Sequence, residues 1–395
     1  MKSPDEFGEN MSYRFVIPSL REIEESIYWK MIAKARQVEG ALTLLGGDPD
    51  FDTPKHIKYA LIDALEKGKT HYPPTAGIPE LRKALAEYNS KYGADWKPSE
   101  VVLTAGSALA LYISLAGTLL PGDEVITFEP YYFTYSDLFN YLGIKKVSVP
   151  LIEEKGYRLD IEKLKDNVTP KTKMIIVCSP NNPTGTVFTK KELSGISDLA
   201  TEHDLIVISD EVYNEFIWDG RKHSSIAAFP DMKERTIVVN SFSKTFAMTG
   251  WRLGYFIADE PIATRLARQP IGFRPSTFVQ LAGLKAIKGP WEPVEEMAKE
   301  YDRRRQYFVS RLNKIDGIVC QKPEGAFYVF PNIRAIGKKS VDFCEGLLDE
   351  QKVAIVPGII FGDSCQYNVR IPLVISVDYL SRCADAIENY VEQLR

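Results

Sequence analysis

The residue best suited to covalent chemistry is Lys244, in the segment SFSK at positions 241–244, which directly follows an apolar run rich in β-branched residues. A lysine just past a buried strand is poorly hydrated, so its pKa falls and its amine is suited to form an imine with an aldehyde. Ser241 and Ser243 precede it and Arg252 follows it, so two hydroxyls and a guanidinium could hold a phosphate nearby. A surface lysine in a serine-rich turn would give the same local pattern.

A carboxylate, Asp210, follows the apolar run LIVIS at positions 205–209, where a second buried strand is predicted to end. An aspartate in this position often caps a helix, and the local pattern alone does not decide between that role and a chemical one. Together with Lys244, Asp210 could hold a proton on the ring nitrogen of a heteroaromatic cofactor. Such a ring accepts electrons only when that nitrogen is protonated.

Two turn-like segments follow other predicted strands. The segment SPNNPTG at positions 179–185 follows the run KMIIVC, although Asn, Pro and Gly are ordinary turn residues. The segment TAGSA at positions 104–108 leads into an apolar helix, and its small residues leave the first N–H groups of that helix free to bind an anion. Neither GxGxxG nor GxxxxGK[ST], the motifs of nucleotide sites, occurs in the sequence.

The fold class is predicted from the alternation of short apolar runs with amphipathic helical segments. This alternation is typical of an α/β protein whose sheet is mainly parallel, with its site at the carboxyl ends of the strands. The predicted strands are residues 101–105, 124–128, 173–178, 205–209, 236–240 and 253–258.

After Pro290 the regular alternation of apolar runs and helical segments ends, which predicts a second, smaller α+β domain. It consists of a long charged helix at 294–312 and short strands at 325–330 and 353–356. We therefore predict a large cofactor-binding domain over residues 53–290, and a small domain formed by residues 1–52 and 291–395. The arginine triplet at 303–305 is interpreted as a solvated helix face, because acidic residues lie at helical contact spacing.

Composition limits the classes of partner. The chain has 49 Lys and Arg against 53 Asp and Glu, a net charge of −4, which provides no basic excess for nucleic acid or an anionic membrane. No apolar signal core or membrane-length apolar run is present, so a cytoplasmic protein is expected. The five cysteines are scattered without a CxxC pair, so we expect reduced core thiols and no metal site.

Taken together and in order, these segments resemble the class I/II aminotransferases, which are pyridoxal 5'-phosphate (PLP) enzymes of fold type I in the aspartate aminotransferase superfamily. The resemblance runs from GGDPDFDTP at Gly46 to NVRIP at Asn368. It implies a large domain with a mainly parallel sheet covered by helices, a smaller α+β domain and a homodimer. It also implies transfer of an amino group from an L-amino acid to a 2-oxo acid, with 2-oxoglutarate as the expected acceptor.

The resemblance also implies roles for residues around the cofactor ring. Lys244 matches the lysine that forms the Schiff base with PLP and later moves the substrate proton. Asp210 matches the carboxylate on the ring nitrogen, while Tyr213 and Asn182 match donors to the phenolic oxygen. Tyr132 matches an aromatic residue that stacks on the ring. Lys244, Asp210 and Tyr213 are thus the expected catalytic residues.

The family's phosphate and substrate positions can be matched in the same way. The positions matched to phosphate binding are Gly106, Ser107, Ala108 through its N–H group, Ser241, Ser243, Arg252 and, from the neighbouring subunit, Tyr72. Arg370 matches the arginine that binds the substrate α-carboxylate, a task suited to a bidentate guanidinium. Gly47 and Asn182 match positions near that same carboxylate.

The sequence departs from the family pattern in places that bear on the substrate. Ala108 stands where some acidic-substrate relatives have a lysine, which disfavours aspartate specificity by that route. Arg274 stands where a small polar residue is more usual; it either reads a distal carboxylate or forms a structural ion pair at the dimer interface. An apolar side-chain pocket could instead be lined by Phe15, Tyr132 and Phe327.

Other outcomes are possible on the same scaffold. A β-lyase, a racemase and a PLP-dependent oxidase all need Lys244 and Asp210, and they differ in facial access and leaving groups. A non-catalytic binding protein could also keep the fold. Retention of both residues, together with the absence of a helix-turn-helix segment or basic stretch, argues against that reading.

Overall fold

The computed structural model describes residue 15 and residues 26–271 and 274–395. Strands in chain order are β1 Leu42–Thr43, β2 Val101–Thr104, β3 Glu124–Glu129, β4 Lys145–Pro150, β5 Thr172–Cys178, β6 Ile206–Asp210, β7 Thr236–Ser241, β8 Gly254–Ile257, β9 Tyr328–Val329, β10 Val353–Ala354, β11 Val356–Pro357 and β12 Val369–Pro372. Seven of them, β2 to β8, form one large sheet, and the other five form two small sheets.

The helices alternate with these strands along the chain. Those described are α1 Ile27–Gln37, α2 Lys55–Glu66, α3 Pro79–Ser90, α4 Ser107–Thr118, α5 Thr134–Leu142, α6 Ile161–Asp166, α7 Lys190–Glu202, α8 Phe242–Thr245, α9 Glu260–Leu266, α10 Thr277–Lys288, α11 Glu292–Leu312, α12 Ser340–Gln351 and α13 Val377–Gln393. Among the described residues, no helix has both the length and the apolar composition that a membrane span requires.

The large sheet has the strand order β2-β8-β7-β6-β5-β3-β4. Four neighbouring pairs are parallel, and β8 runs antiparallel to both β2 and β7. The predicted mainly parallel α/β fold is confirmed, and each of the six predicted strands ends within one residue of its expected position. The additional strand, β4, is an edge strand that begins with two exposed lysines. Its sequence therefore lacks the apolar run used to find the others.

The part of the fold outside the large sheet contains the short strands of the two small sheets and three long helices, α11, α12 and α13. Strands β11, β12 and β9 form an antiparallel sheet in that order, while β1 pairs in parallel with β10. The pairing of β1 with β10 joins the chain near residue 42 to its carboxyl-terminal part. Helices α11 and α12 both pack against α13. The domain boundaries at residues 53 and 291 stay a prediction.

The arginine triplet on α11 corrects one expectation. Arg303 is exposed, but Arg304 and Arg305 are buried, so the predicted solvated face is wrong for two of the three residues. Arg304 binds both carboxylate oxygens of Asp50 at 2.8 and 2.9 Å, and Arg305 does the same to Asp219 at 2.9 Å. These bidentate pairs attach α11 to the loops that carry the two aspartates. Helical spacing alone does not reveal such long-range partners.

The carboxyl ends of the central strands meet at one edge of the large sheet. Cys178 at the end of β5 is in register with Asp210 at the end of β6. The segment after β5 is held by a capping box at the start of α7. The Thr189 hydroxyl accepts a hydrogen bond from the Glu192 N–H, and the Glu192 carboxylate accepts one from the Thr189 N–H. The sheet edge and this cap fix the backbone that carries the candidate site.

Candidate active site

A cavity at this edge of the sheet encloses about 600 Å³ of empty space, including its open mouth. Fourteen residues from both layers line it: Tyr28, Gly47, Ser107, Leu111, Tyr132, Phe133, Cys178, Asn182, Asp210, Val212, Tyr213, Lys244, Tyr328 and Arg370. Eight of these were predicted as site residues from the sequence: Gly47, Ser107, Tyr132, Asn182, Asp210, Tyr213, Lys244 and Arg370. The fold therefore brings together residues that are more than 300 positions apart in the chain.

Lys244 enters the cavity from the short helix α8 that follows β7. Its Nζ donates a hydrogen bond of 2.5 Å to the carbonyl oxygen of Gly47. Burial lowers its pKa to about 8; Asp48 opposes this shift, while Arg370 and Arg252 add to it. The residue as a whole is half-buried by surface area. Near neutral pH, a fraction of the amine is therefore unprotonated and nucleophilic.

Asp210 is 5% exposed at the end of β6. Its carboxylate accepts a 2.6 Å hydrogen bond from the Tyr135 hydroxyl and a 3.4 Å bond from the Val212 N–H. Burial raises its pKa to about 6, although these two donors favour the charged form. No cationic side chain bonds to it within the described part of the chain, so the carboxylate is suited to meet a proton or cation supplied by a ligand.

Arg370 comes from β12 of the small sheet and is 2% exposed. One Nη donates to the carbonyl oxygen of Leu45 at 2.5 Å, and the other donates to Asn182 Oδ1 at 3.3 Å. The Nε atom is buried and has no hydrogen-bond partner among the described residues. A buried guanidinium that lines a cavity and has an unpaired donor is suited to bind a carboxylate.

Tyr213 follows Asp210 on the loop after β6. Its hydroxyl lies 2.9 Å from the hydroxyl of Tyr328, which belongs to β9 of the small sheet. Burial raises the pKa of Tyr213 well above its ordinary value. The residue is thus a neutral hydrogen-bond donor at physiological pH.

A cup for an anion is formed at the start of α4. Gly106 caps this helix with a φ of +93°, and a Cβ atom at this position would lie 2.3 Å from a guanidinium nitrogen of Arg252. A Cβ atom at Gly254 would lie 2.7 Å from the backbone nitrogen of Ser107. Both glycines therefore allow the backbone and the guanidinium to approach closely, and the first N–H groups of α4, including that of Ala108, lie at this helix start.

The serines before Lys244 lie beside this cup. Ser241 is in register with Gly254 in the sheet, and its hydroxyl lies 2.8 Å from that of Ser243. Both serines are buried. Apart from Tyr72, the predicted phosphate positions therefore lie close together beside Lys244, and Ser107 among them lines the cavity.

Besides the residues of the cup, four further residues considered from the sequence lie outside the cavity lining. Tyr72 is 96% exposed, Arg274 is exposed, and Phe15 is 77% exposed. Phe327 is fully buried behind the site, with its ring centroid 6.0 Å from Lys244 Nζ. Of the three residues suggested for an apolar pocket, only Tyr132 lines the cavity. The roles of Tyr72 and Arg274 stay predictions, since both were expected to act across a subunit interface.

Several lining residues were not singled out from the sequence. Tyr28 of α1 contacts Phe133, with ring centroids 4.9 Å apart, and both form the outer wall. Tyr135, three residues after the predicted stacking residue, lies behind the lining and donates a hydrogen bond to Asp210. Tyr328 lies in a strand of two residues. The segment EPYYFTY concentrates aromatic residues before α5, and that concentration was the available signal for Phe133 and Tyr135.

A mainly parallel sheet that brings an activated lysine, a buried aspartate and an anion cup to one cavity is the arrangement of a fold type I aminotransferase. Residues 40–387 match the family model described as aminotransferase class I and II, and the chain belongs to this family. The protein is therefore an aminotransferase, in a family whose members depend on PLP.

Relatives are similar over almost their whole length. Aromatic-amino-acid aminotransferase 2 of Thermococcus litoralis is 43% identical over 380 residues, which is 95% of this chain and 97% of that protein. An aspartate aminotransferase of Pyrococcus abyssi is 44% identical over 370 residues, covering 92% and 95%. The solved aromatic aminotransferase of Pyrococcus horikoshii has a TM-score of 0.87 at 44% identity, covering 92% of this chain and 99% of that one. Aspartate aminotransferase of Thermus thermophilus with maleate has a TM-score of 0.89 at 35% identity, covering 95% and 99%.

Proposed function

We propose that this cavity binds PLP through Lys244 and transfers an amino group from an aromatic L-amino acid to 2-oxoglutarate. The observation that carries this proposal is the pairing, in one cavity, of a lysine whose pKa is lowered to about 8 with an aspartate whose pKa is raised to about 6. Opposed shifts of this kind are typical of sites that hold and move protons.

The residues present fit PLP in three respects. The Gly106 and Arg252 cup provides free N–H groups and a guanidinium for a phosphate. Among the described residues Asp210 has no cationic partner, and it would bind a protonated ring nitrogen. Tyr213 would donate to the phenolic oxygen, as would Asn182 through its amide. When bound, PLP supplies an aldehyde that condenses with amines and a ring that accepts electrons from the substrate α-carbon.

The side chains of this protein would perform the remaining steps. Arg370 would bind the substrate α-carboxylate through its free Nε donor and orient the α-carbon. Burial lowers the pKa of Lys244 to about 8, so that part of its amine is uncharged near neutral pH, and Nζ would accept the α-proton and hold it as an ammonium proton. Tyr28 and Phe133 would exclude water from the outer wall.

An aromatic amino donor is supported by the cavity wall. The cavity lining contains the aromatic side chains of Tyr28, Tyr132 and Phe133, and the cationic side chains among the lining residues are Lys244 and Arg370. Both cations already have roles at the α-carbon end. An aromatic ring would pack against these aromatic neighbours, whereas a second carboxylate would find no further cation within the described lining and would depend on a residue outside it, as the acceptor does. One close relative is named for aromatic amino acids, although others are named for aspartate.

The acceptor carries a distal carboxylate, and we propose that Arg274 binds it from across a dimer interface. A homodimer is supported by exposed apolar side chains at helical spacing on α2, namely Tyr59, Ile62 and Leu65, together with Tyr72 nearby. Within this proposal, residues 53–290 form the large domain, and residues 1–52 and 291–395 form the small one. A cytoplasmic location stays a prediction from the sequence.

The site assignment is tested by chemical mapping. The purified protein loaded with PLP is reduced with borohydride, digested, and examined by mass spectrometry for a peptide that carries the cofactor. We expect the modification on Lys244. Modification of another lysine, such as Lys146, which binds the Tyr131 hydroxyl instead of lining the cavity, would contradict the assignment.

The substrate assignment is tested by kinetics on matched variants. Arg274→Ala should raise KM for 2-oxoglutarate by about tenfold, the value of one charge-assisted hydrogen bond, and leave KM for phenylalanine unchanged. Arg268→Ala removes another exposed arginine and serves as the control. Equal KM values for 2-oxoglutarate in wild type and Arg274→Ala would leave the structural ion pair as the role of Arg274. A kcat/KM for aspartate above that for phenylalanine would contradict the aromatic donor.

A further inference from the structure

Tyr328 contacts three residues of the proposed machinery, although nothing in its sequence position assigned it a role. It is 2% exposed, on β9 of the small sheet. Its hydroxyl lies 2.9 Å from that of Tyr213, and the Arg370 guanidinium lies over its ring, 4.7 Å from the centroid. A Cβ atom at Gly47 would lie 1.9 Å from the Tyr328 hydroxyl oxygen. Tyr328 thus connects the small sheet to Tyr213, on the cofactor side of the proposed site, and to Arg370, on the substrate side.

The direction of the bond between the two tyrosines follows from proton counting. Each hydroxyl has one proton to donate and two lone pairs to accept. If Tyr213 directs its proton to the phenolic oxygen of the cofactor, it cannot also donate to Tyr328. The 2.9 Å contact must then run from Tyr328 to the Tyr213 oxygen.

We propose that Tyr328 is a positioning residue for the reaction: its hydroxyl donates to the Tyr213 oxygen and thereby directs the Tyr213 proton toward the cofactor. This inference rests on the proposed function. A hydroxyl that accepts a hydrogen bond becomes a stronger donor, so the Tyr328 bond also strengthens the contact that Tyr213 makes. The Gly47 backbone keeps this geometry, because its lack of a side chain leaves space for the Tyr328 hydroxyl.

The position of Tyr328 also separates this role from substrate binding. Arg370 lies over the ring face, and a phenylalanine would keep that face. Removal of the hydroxyl should therefore act on the cofactor side and leave the α-carboxylate contact intact. In Tyr328→Phe, we expect a lower kcat with KM for the amino acid unchanged.

A double-mutant cycle tests the inference on the PLP-loaded enzyme. Tyr328→Phe should weaken PLP binding about three- to tenfold, the usual value of one buried hydrogen bond, and move the pH midpoint of the cofactor's absorbance change upward. The midpoint rises because the anionic phenolic oxygen then accepts a weaker hydrogen bond from Tyr213, and hydrogen bonds to a charged form favour that form. In a Tyr213→Phe background, Tyr328→Phe should have no further effect on either quantity.

The control is Tyr157→Phe, which removes a buried hydroxyl outside the cavity and should leave the midpoint unchanged. Gly47→Ala provides a second route, because its methyl group would displace the Tyr328 hydroxyl and should raise the midpoint as Tyr328→Phe does. An unchanged midpoint in Tyr328→Phe, or an equal shift in both Tyr213 backgrounds, would overturn the inference. Failure of the wild type to bind PLP would instead overturn the proposed function.

Discussion

Asp210→Asn should stabilise the protein in the absence of cofactor. The buried carboxyl has its pKa raised from 3.8 to about 6, so an ionised carboxylate opposes folding above pH 6. At 1.36 kcal/mol for each pKa unit, this difference corresponds to about 3 kcal/mol of lost folding free energy. Asparagine removes the charge but its amide is still a buried polar group, so we expect a gain in the free energy of unfolding of about 1–3 kcal/mol. For a chain of this size, the gain in Tm is about 2–5 °C. Asparagine has the shape of aspartate and can keep the contact with Tyr135.

The sign of the effect gives it a distinctive pH dependence. Because the folded pKa lies above the unfolded value, the cost of the charge is fully present above pH 6 and vanishes below about pH 4. The advantage of the variant should therefore fall by about half between pH 8 and pH 5. The measurement is thermal unfolding of cofactor-free wild type and Asp210→Asn across this range, with the exposed Asp198→Asn as the matched control.

The same substitution should damage the loaded enzyme. Without the carboxylate, the ring nitrogen of PLP loses the partner that holds its proton, and kcat should fall at least about 100-fold. A variant that is no more stable than wild type at pH 8, or whose advantage is constant with pH, would refute the electrostatic reasoning. If Asp210→Asn is more stable than wild type without cofactor and less active with it, Asp210 lowers stability and serves the function instead.

Three further outcomes follow from other contacts. Arg370→Lys should raise KM for amino acids about tenfold or more in steady-state kinetics, because an ammonium cannot form a bidentate pair with the α-carboxylate. Glu211→Gln should lower the free energy of unfolding by about 1–3 kcal/mol. Burial alone would raise the Glu211 pKa, but the contacts with His223, Ser225 and Ser209 outweigh burial and lower it. The stabilisation is therefore present above pH 4.5 and is lost as the pH falls. Urea unfolding repeated at lower pH should show a smaller difference between wild type and Glu211→Gln. Ile62→Glu on exposed α2 should convert a dimer to a monomer in size-exclusion chromatography; an unchanged elution volume would place the interface elsewhere.

The central sheet could be predicted from sequence because its strands are buried on both faces and read as continuous apolar runs. Strands β5 and β6, for example, show little exposure along their lengths. The edge strand β4 has exposed lysines and gives no such signal. The burial of Arg304 and Arg305 was also missed. Their partners Asp50 and Asp219 are 254 and 86 positions away, and helical spacing registers only near neighbours.

Residues of the candidate site could be predicted where the chemistry requires one residue type at or just after a strand. Lys244, Asp210 and Arg370 all line the cavity, as the resemblance implied. Tyr328 was missed because tyrosine is common in cores, and its relation to Tyr213 arises only when the two sheets pack together. Residues assigned to a neighbouring subunit stay predictions, since their partners lie beyond a single chain.

The most direct measurement of the central claim is an absorbance spectrum of the PLP-loaded protein during addition of phenylalanine without any 2-oxo acid. We expect the visible cofactor band to be converted into a stable pyridoxamine-like band, which 2-oxoglutarate reverses. Lys244→Ala should not show this cycle. Return of the visible band without a 2-oxo acid would indicate a lyase, racemase or oxidase instead, and the absence of any bound cofactor would contradict the assignment of Lys244 and Asp210.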